Sequence, residues 1–247
     1  MLGEPFFASL FVKQPDEYEA QVRNKAGNWV PTGELRPWNN NALVCQQWNA
    51  EQVKNGRAIL TNAQIEQIKK MSAAISVHPL VKEGILNGYI ERSMFWKDKE
   101  TGLWLKARPD SIPSDSADFA DLKTTQSTLY ADLMRTLRKF AYYQQAALIR
   151  TGCRELIGMD MQSFTFIFAE SQSPWDVRDM RLFDEDMKRG DRMNRAMLRL
   201  FANCYEKNHW PGPGEGNEGN ERLQLSGQAR EAIDMRLKLE GLADGED

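Results

Sequence analysis

The stretch from Tyr89 to Lys123 constrains the fold of this chain most, because apolar residues recur there at every second position. Residues Tyr89 to Trp96 and Leu103 to Ala107 alternate in this way, and the polar residues Asp98 to Gly102 between them are typical of a turn. The pattern predicts a β-hairpin. A third strand is expected over Ala117 to Lys123, so a sheet lies near the middle of the chain.

Segments with helical spacing flank these strands. Thr61 and Gln64 form the pattern of a capping box and predict the start of a helix. Ser127 is expected to cap a long helix that runs to about Arg150 and is ended by Gly152. Other expected elements are a short helix over Pro79 to Leu86, strands over Asp160 to Ala169 and Val177 to Phe183, and helices over Asp184 to His209 and Leu223 to Leu242. This order predicts an α/β fold with a mixed central β-sheet flanked by helices.

The composition is that of an ordinary globular protein. Of the 247 residues, 41% are hydrophobic and 27% are charged, and the net charge of -3 gives no global basic field. Cys45, Cys153 and Cys204 are too far apart for a zinc ribbon, and an odd number does not suit a disulfide framework. No apolar run is long enough for a membrane span, and no secretory signal is visible. A cytoplasmic protein is expected.

Four parts are expected along the chain. Residues 1–60 are predicted to form an irregular arm that packs through aromatic side chains such as Trp38 and Trp48. The core is expected over residues 61–210. A flexible linker over 211–222 is indicated by its Gly, Pro, Glu and Asn residues, and a helix with an acidic tail is expected over 223–247.

The strands end in charged residues that suit metal chemistry. Residues two apart on a strand point to the same face, so Asp121 and Lys123 are expected side by side, with Leu122 turned into the core. If the preceding segment pairs alongside, Asp110 reaches the same point. Two carboxylates suit Mg²⁺ or Mn²⁺, and an adjacent lysine suits phosphodiester hydrolysis. An acid–x–lysine tripeptide alone is a weak signal, because it occurs by chance in many proteins, and a surface ion pair is its alternative interpretation.

A polar stripe is expected on the long predicted helix. Arg135, Arg138, Tyr142 and Gln145 follow one another at spacings of three, four and three, which places them on one face. Two arginines on such a stripe suit contact with a DNA backbone. A solvated helix face is the alternative interpretation.

These residues together resemble the PD-(D/E)XK nuclease superfamily, in its RecB-like branch and closest to the RecE (exonuclease VIII) type. The resemblance rests on four runs of sequence: Phe95-Trp96 to Gly102-Leu103, Lys106 to Asp110, Asp121 to Thr125, and Tyr142 to Ala147. It implies a restriction-endonuclease-like core in which Asp110, Asp121 and the Leu122 carbonyl bind the metal. Lys123 is then the catalytic lysine, and Gln145 and Tyr142 face the active site.

The resemblance also implies a function. It points to a Mg²⁺-dependent exonuclease that degrades linear double-stranded DNA from the 5′ end in recombination. It further implies a bacterial or phage origin, a ring-like homo-oligomer such as a tetramer, and a single-strand annealing partner of the RecT type. Two alternatives share the fold: a catalytically weak DNA-binding or assembly subunit, and an endonuclease of restriction or repair.

One feature of the RecE type is missing from this sequence. Such nucleases carry a further histidine ligand just before a Leu-Leu-Glu-Pro-like motif, and this chain opens at Met1-Leu2-Gly3-Glu4-Pro5. The histidine would then lie upstream of residue 1. His78 could replace it, although a structural role at a helix start is the alternative. Glu91 is expected to support the metal site or pair with a nearby lysine, and Thr124 is expected near the substrate.

Overall fold

The computed structural model describes residues 10–212, 215 and 227–240, and contacts between residues divide the chain into two units, 1–199 and 200–247. The described strands are β1 (Phe11–Lys13), β2 (Glu17–Arg23), β3 (Trp29–Pro37), β4 (Ala58–Leu60), β5 (Tyr89–Ile90), β6 (Met94–Lys97), β7 (Trp104–Ala107), β8 (Ser111–Ile112), β9 (Asp118–Thr125), β10 (Ser163–Glu170) and β11 (Val177–Arg181). The described helices are α1 (Leu43–Lys54), α2 (Asn62–Ser76), α3 (Pro79–Lys82), α4 (Tyr130–Lys139), α5 (Tyr142–Ile157), α6 (Asp184–Lys207) and α7 (Gly227–Leu239). The predicted α/β class is confirmed.

A mixed three-stranded sheet lies at the centre of the first unit. β10 pairs in parallel with β9 and antiparallel with β11. In this register Asp121 lies opposite Phe166, and Lys123 lies opposite Phe168. Because neighbouring residues on a strand point to opposite faces, these four side chains share one face of the sheet.

The shared face is the hydrophobic core. Phe164, Phe166 and Phe168 are almost fully buried, as the alternating pattern of β10 predicts. Ala146 and Ile149 of α5 belong to the same buried cluster, so α5 covers this face. Burial of such side chains stabilises the fold by about 1.5–3 kcal/mol each. The charged pair on β9 is thus placed at the edge of a rigid apolar core.

The predicted hairpin is confirmed only in part. β6 and β7 pair antiparallel, but β5 pairs with β8 instead of continuing β6. The interruption lies at Glu91, whose φ of +52° is uncommon for a residue with a side chain. Two short ladders therefore replace one long hairpin. Asp110 lies immediately before β8.

The long helix predicted from Ser127 to Arg150 is wrong, since α4 ends at Lys139 and α5 begins at Tyr142. Ala141 between them has a left-handed conformation with φ of +52°. Gly152 does not end the helix either. It lies inside α5 against Trp96, where an added Cβ would come within 2.9 Å of the indole ring. Gly152 is required for close packing, and α5 is ended by Gly158 in the left-handed region.

The irregular structure predicted for residues 1–60 is wrong over the described residues 10–60. β2 and β3 form an antiparallel hairpin with an irregularity between Glu19 and Gln21. β1 precedes the hairpin, α1 and β4 follow it, and β1 pairs in parallel with β4. The expected aromatic packing is present: the rings of Trp38 and Trp48 lie 5.3 Å apart, edge to face. The predicted boundaries of the four parts remain predictions.

Two predicted helix starts are confirmed in detail. Thr61 and Gln64 form the expected capping box at the start of α2. Asp184 begins α6, on which Met187 is buried while Met197 is 47% exposed. The short helix α3 ends at Lys82, earlier than predicted. Residues 1–5, most of the predicted linker and the acidic residues 241–247 lie outside the described residues. Within the described ranges, no helix has the length and apolar character to cross a membrane.

Candidate active site

Asp121 and Lys123 form the ion pair that their spacing predicts. Lys123 Nζ lies 2.5 Å from Asp121 Oδ2, with the aspartate side chain 1% exposed and the lysine side chain 19% exposed. The contact lacks hydrogen-bond geometry, so Oδ2 is buried without a directed hydrogen bond. An oxygen in this state is open to a further positively charged ligand.

Asp110 reaches the same point from the segment before β8. Its Oδ2 accepts a hydrogen bond of 2.7 Å from the backbone N–H of Leu122, the residue between the charged pair. Its own backbone carbonyl accepts a hydrogen bond from the N–H of Glu91. The two carboxylates, eleven residues apart in sequence, are thereby brought together at the middle of β9.

Burial and the second carboxylate change the acidity of the site. They raise the pKa of Asp121 from its ordinary value to about 6, burial having the larger effect and the charge of Asp110 the smaller. Lys123 and Gln145 act in the opposite direction. A carboxylate held in this way gains from any cation that binds beside it.

Leu122 lies on the face of β9 opposite Asp121 and Lys123, as predicted, in register with the fully buried Ile167. The Leu122 side chain is half-buried there, whereas the face carrying Asp121 and Lys123 continues into the phenylalanine core. The role of the Leu122 carbonyl as a metal ligand stays a prediction.

The start of α5 supplies the remaining polar contacts. Gln145 Nε2 donates a hydrogen bond of 3.2 Å to Asp121 Oδ1. The ring of Tyr142 lies 4.9 Å from Lys123 Nζ and stacks on Phe166. Both side chains therefore fix the charged pair from the helix side, as the sequence pattern predicts.

The donor set fits a hard divalent cation. Mg²⁺ is commonly held by one or two carboxylates, and waters and substrate phosphates complete its octahedron. Asp110 and Asp121 meet this requirement, and Asp121 Oδ2 is the buried oxygen without a directed partner. Among the residues that the structure describes, no cluster of three or more His, Cys, Asp or Glu residues could enclose a metal.

His78 is not brought to this site. Its Nε2 lies 3.3 Å from Asp179 Oδ1 on β11, and it is the residue that precedes α3. Asp179 is in register with Ile167, which is in register with Leu122, so it belongs to the sheet face opposite Asp121. The sheet therefore separates the imidazole from the two carboxylates.

Glu91 pairs with an arginine rather than a lysine. Its carboxylate lies 2.9 Å from Arg108 Nε, and both side chains are more than half exposed. The backbone of Glu91, through its bond to Asp110, is the part that contacts the site. Glu91 therefore supports the position of Asp110 more directly through its N–H than through its charge.

The predicted stripe of four residues on one helix is wrong, because the break at Ala141 divides it. Arg135 on α4 forms an ion pair with Asp132 and lines a groove beside the active site, together with Thr124. Arg138 lines a different groove, between α4 and α6. The two arginines therefore do not act on one surface.

The groove beside the active site contains two residues that sequence reasoning missed. It has a volume of about 740 Å³, and Tyr142 of the active site forms part of its wall. Lys139 and Phe140 line it at the end of α4. No glycine or proline marks the chain break after them, so no local signal shows that these side chains turn toward the site.

Comparison with known protein families gives a match over most of the chain. The sequence model of a family described as a PDDEXK-like domain of unknown function (DUF3799) matches residues 18–220. The matched range contains every residue of the site described above. No curated protein matches the chain.

Solved structures show a similar fold. The crystal structure of a Eubacterium rectale protein, provisionally described as an exonuclease, aligns with a TM-score of 0.52 and 16% sequence identity. That alignment covers 76% of this chain and 73% of the other. The crystal structure of SSO0001 aligns with a TM-score of 0.30 and 14% identity over 63% of this chain and 64% of the other, which is too low to support an argument. At such identities the likeness concerns the fold alone.

Proposed function

Because the chain belongs to the family of PDDEXK-like domains of unknown function (DUF3799), we propose that it is a metal-dependent deoxyribonuclease. The observation that carries the proposal is the convergence of Asp110, Asp121 and Lys123, with Gln145 bonded to Asp121. These residues come from three separate segments of the chain. An ordinary surface ion pair between Asp121 and Lys123 would not need Asp110 to accept a hydrogen bond from the Leu122 N–H between them.

Each side chain has a distinct role in this proposal. Asp110 and Asp121 hold Mg²⁺ or Mn²⁺, which, when bound, lowers the pKa of a water and offsets negative charge on the phosphate. Lys123 holds its ammonium group beside the carboxylates, where it positions the attacking water and stabilises charge that develops in the transition state. Gln145 fixes the orientation of Asp121, and the ring of Tyr142 limits the positions open to Lys123.

The finer proposal is an exonuclease of the RecE type. It degrades linear double-stranded DNA from the 5′ end with Mg²⁺, as a homo-oligomeric ring, and passes the remaining strand to an annealing protein of the RecT type. The resemblance of the runs around Asp110, Asp121 and Gln145 to that type supports this choice. The reaction direction, the ring and the partner are separate steps of the proposal, each open to its own test.

The test uses purified protein and two DNA forms. With Mg²⁺ or Mn²⁺, linear duplex is expected to be degraded and closed circular duplex to remain intact, with the 5′-labelled end released first. Asp121→Asn and Lys123→Ala are each expected to lower the rate at least about a hundredfold. Asp118→Asn is the matched control, since Asp118 lies on the same strand but bonds Ser163. Full activity in Asp121→Asn would disprove the site.

One observation favours a second candidate function. Within the described ranges only two carboxylates converge, with no third acid or histidine beside them. A chain of this kind could serve as a DNA-binding or assembly subunit with weak catalysis. Calorimetric titration with Mn²⁺ separates the two: heat that is lost in Asp121→Asn supports the nuclease, and no binding at millimolar metal supports the subunit. Cleavage of closed circles would instead indicate an endonuclease.

A further inference from the structure

The break between α4 and α5 exposes an aromatic ring next to the active site. Ala141 turns the chain through the left-handed region, and Phe140 before it is 57% exposed. Phenylalanine side chains are ordinarily buried, and the exposure of Phe140 leaves apolar surface in contact with water. The ring lines the groove that also contains Tyr142. The exposed side chain therefore faces space that a ligand can fill.

Phe140 is the outer member of an aromatic column. Its ring stacks on Tyr142 at 5.7 Å with an angle of 21° between planes, and Tyr142 stacks on Phe166 at 5.5 Å with 28°. Phe166 is buried in the core. The column holds the exposed ring in a fixed orientation, and it passes within 4.9 Å of Lys123 Nζ at Tyr142. A flat group that stacks on Phe140 would lie one ring beyond Tyr142, whose ring contacts the proposed catalytic lysine.

The groove around this ring carries a free positive charge. Lys139 is exposed, its Nζ lies over the ring of Phe140 at 5.3 Å from the centroid, and within the described ranges no carboxylate forms an ion pair with it. A base that stacks on Phe140 would displace this ammonium group toward the phosphate of the bound strand. Arg135 in the same groove is neutralised by Asp132. An exposed aromatic ring beside an unpaired ammonium is the combination that binds a single nucleic-acid strand, by stacking on a base and attracting a phosphate.

We propose that Phe140 stacks on a nucleobase of the substrate strand next to the scissile phosphate, and that Lys139 binds an adjacent phosphate. The inference rests on the proposed nuclease function and adds to it a binding position for an unpaired nucleotide. The groove volume of about 740 Å³ is within the range of small-ligand sites, which run from roughly 300 to 1,000 Å³. The position tolerates any base, because every base offers a flat face.

The test measures binding without hydrolysis. A fluorescein-labelled single-stranded oligodeoxythymidylate and an abasic strand of the same length are titrated with the protein in EDTA, and fluorescence anisotropy gives both affinities. The wild type is expected to bind the strand with bases about tenfold more tightly than the abasic strand. Phe140→Ala is expected to abolish that difference, and Phe140→Trp to keep it. Lys139→Ala is expected to weaken the binding of both strands equally, because phosphates are present in both.

The matched control is Phe95→Ala. Phe95 is 55% exposed and has Lys106 Nζ 5.4 Å from its ring, so it repeats the exposure and the cation contact of Phe140 outside the groove. This variant is expected to keep the preference for bases. The proposal is overturned if the wild type shows no preference, if Phe140→Ala keeps it, or if Phe95→Ala loses it as well. Phe140→Leu, which keeps an apolar side chain without a stacking face, guards against a folding effect and is expected to behave as Phe140→Ala does.

The result is independent of the hydrolysis test. If linear DNA is degraded with Mn²⁺ but Phe140→Ala keeps the base preference, the nuclease stands and the stacking position fails. If no DNA is degraded but the base preference depends on Phe140, the stacking position stands as a binding site and the nuclease proposal fails.

Discussion

Asp98 and Asp121 are both buried carboxylates near the edge of the core, yet their surroundings shift their acidity in opposite directions. Asp98 lies at the turn of the β6–β7 hairpin and accepts two bonds of 2.9 Å from Arg195, with further bonds from Thr101. The Arg195 guanidinium holds the pKa of Asp98 well below its usual range. Burial and Asp110 instead raise the pKa of Asp121 to about 6.

The difference separates a carboxylate that stabilises the fold from one that is available for chemistry. Arg195 and Thr101 already donate hydrogen bonds to the two oxygens of Asp98, so a further cation would add little stabilisation there. Asp121 accepts one amide hydrogen bond from Gln145, has an ammonium close by, and faces a second negative charge. Strain of this electrostatic kind is typical of functional sites, where stability is lower than the fold could otherwise reach.

The largest effect on stability is expected at the satisfied carboxylate. Arg195→Ala leaves Asp98 buried without its main donor, and the free energy of unfolding is expected to fall by about 3 kcal/mol. Because the pKa of Asp98 is lowered in the fold, this contribution is present above the ordinary pKa of a carboxyl and is lost as the pH falls below it. Urea unfolding at several pH values measures both.

Arg189→Ala is the matched control for that variant. Arg189 lies on the same helix and pairs with Asp186 at 2.8 Å, but its side chain is 60% exposed. An exposed pair contributes about 0.5 kcal/mol or less. Equal losses from the two arginine variants would remove the contrast between a buried and an exposed acid.

A gain in stability is expected at Asp121, whose pKa is raised in the fold. In EDTA at pH 8, Asp121→Asn is expected to raise the free energy of unfolding by about 2 kcal/mol. Removal of the buried charge stabilises the fold by more than the loss of the ion pair with Lys123 destabilises it. The pKa of Asp121 is raised in the fold, so the wild type loses stability as the pH rises from about 4 to about 6. The gain is thus complete above that window and absent below it.

Unfolding of the same variants in the presence of a divalent metal gives a second test of Asp121. Mg²⁺ or Mn²⁺ that binds the folded chain raises the Tm of the wild type, and Asp121→Asn is expected to lose that rise. Asp118→Asn is expected to keep it. An Asp121→Asn protein that is less stable than the wild type at pH 8 in EDTA would show that the buried charge is well satisfied, and the comparison with Asp98 would fail.

A small effect is expected at His78. His78→Gln removes a contact with Asp179 on the opposite face of the sheet, so it is expected to change the free energy of unfolding by about 1 kcal/mol or less. The metal-induced rise in Tm is expected to stay as in the wild type. If the metal-induced rise in Tm disappears in His78→Gln, His78 is a metal ligand after all.

Much of the candidate site could be predicted because its information is local. The spacing of Asp121 and Lys123 on one strand fixes their common face. That this face joins the phenylalanine core could not be predicted, because it depends on the pairing of β9 with β10. Asp110 required one further assumption, that its segment lies beside β9. The hydrogen bond to Leu122 N–H supplies that link.

The errors come from contacts between residues far apart in sequence. Gly152 was assigned to a helix end, but its lack of a side chain serves packing against Trp96, which no local pattern shows. The strands β2 and β3 were missed because most of their side chains are exposed, so they carry no strong alternation. The break at Ala141 has no glycine or proline to mark it.

Ala141 has a consequence for how the two walls of the site can change. An alanine in the left-handed region costs about 1–2 kcal/mol that a glycine would not. A glycine at position 141 would also have more backbone conformations open to it than alanine has. The left-handed conformation at Ala141 is therefore held by the surrounding packing, which sets the angle between α4 and α5. Substitutions along α4 can alter which strands the groove accepts while Gln145 and Tyr142 stay in place on α5.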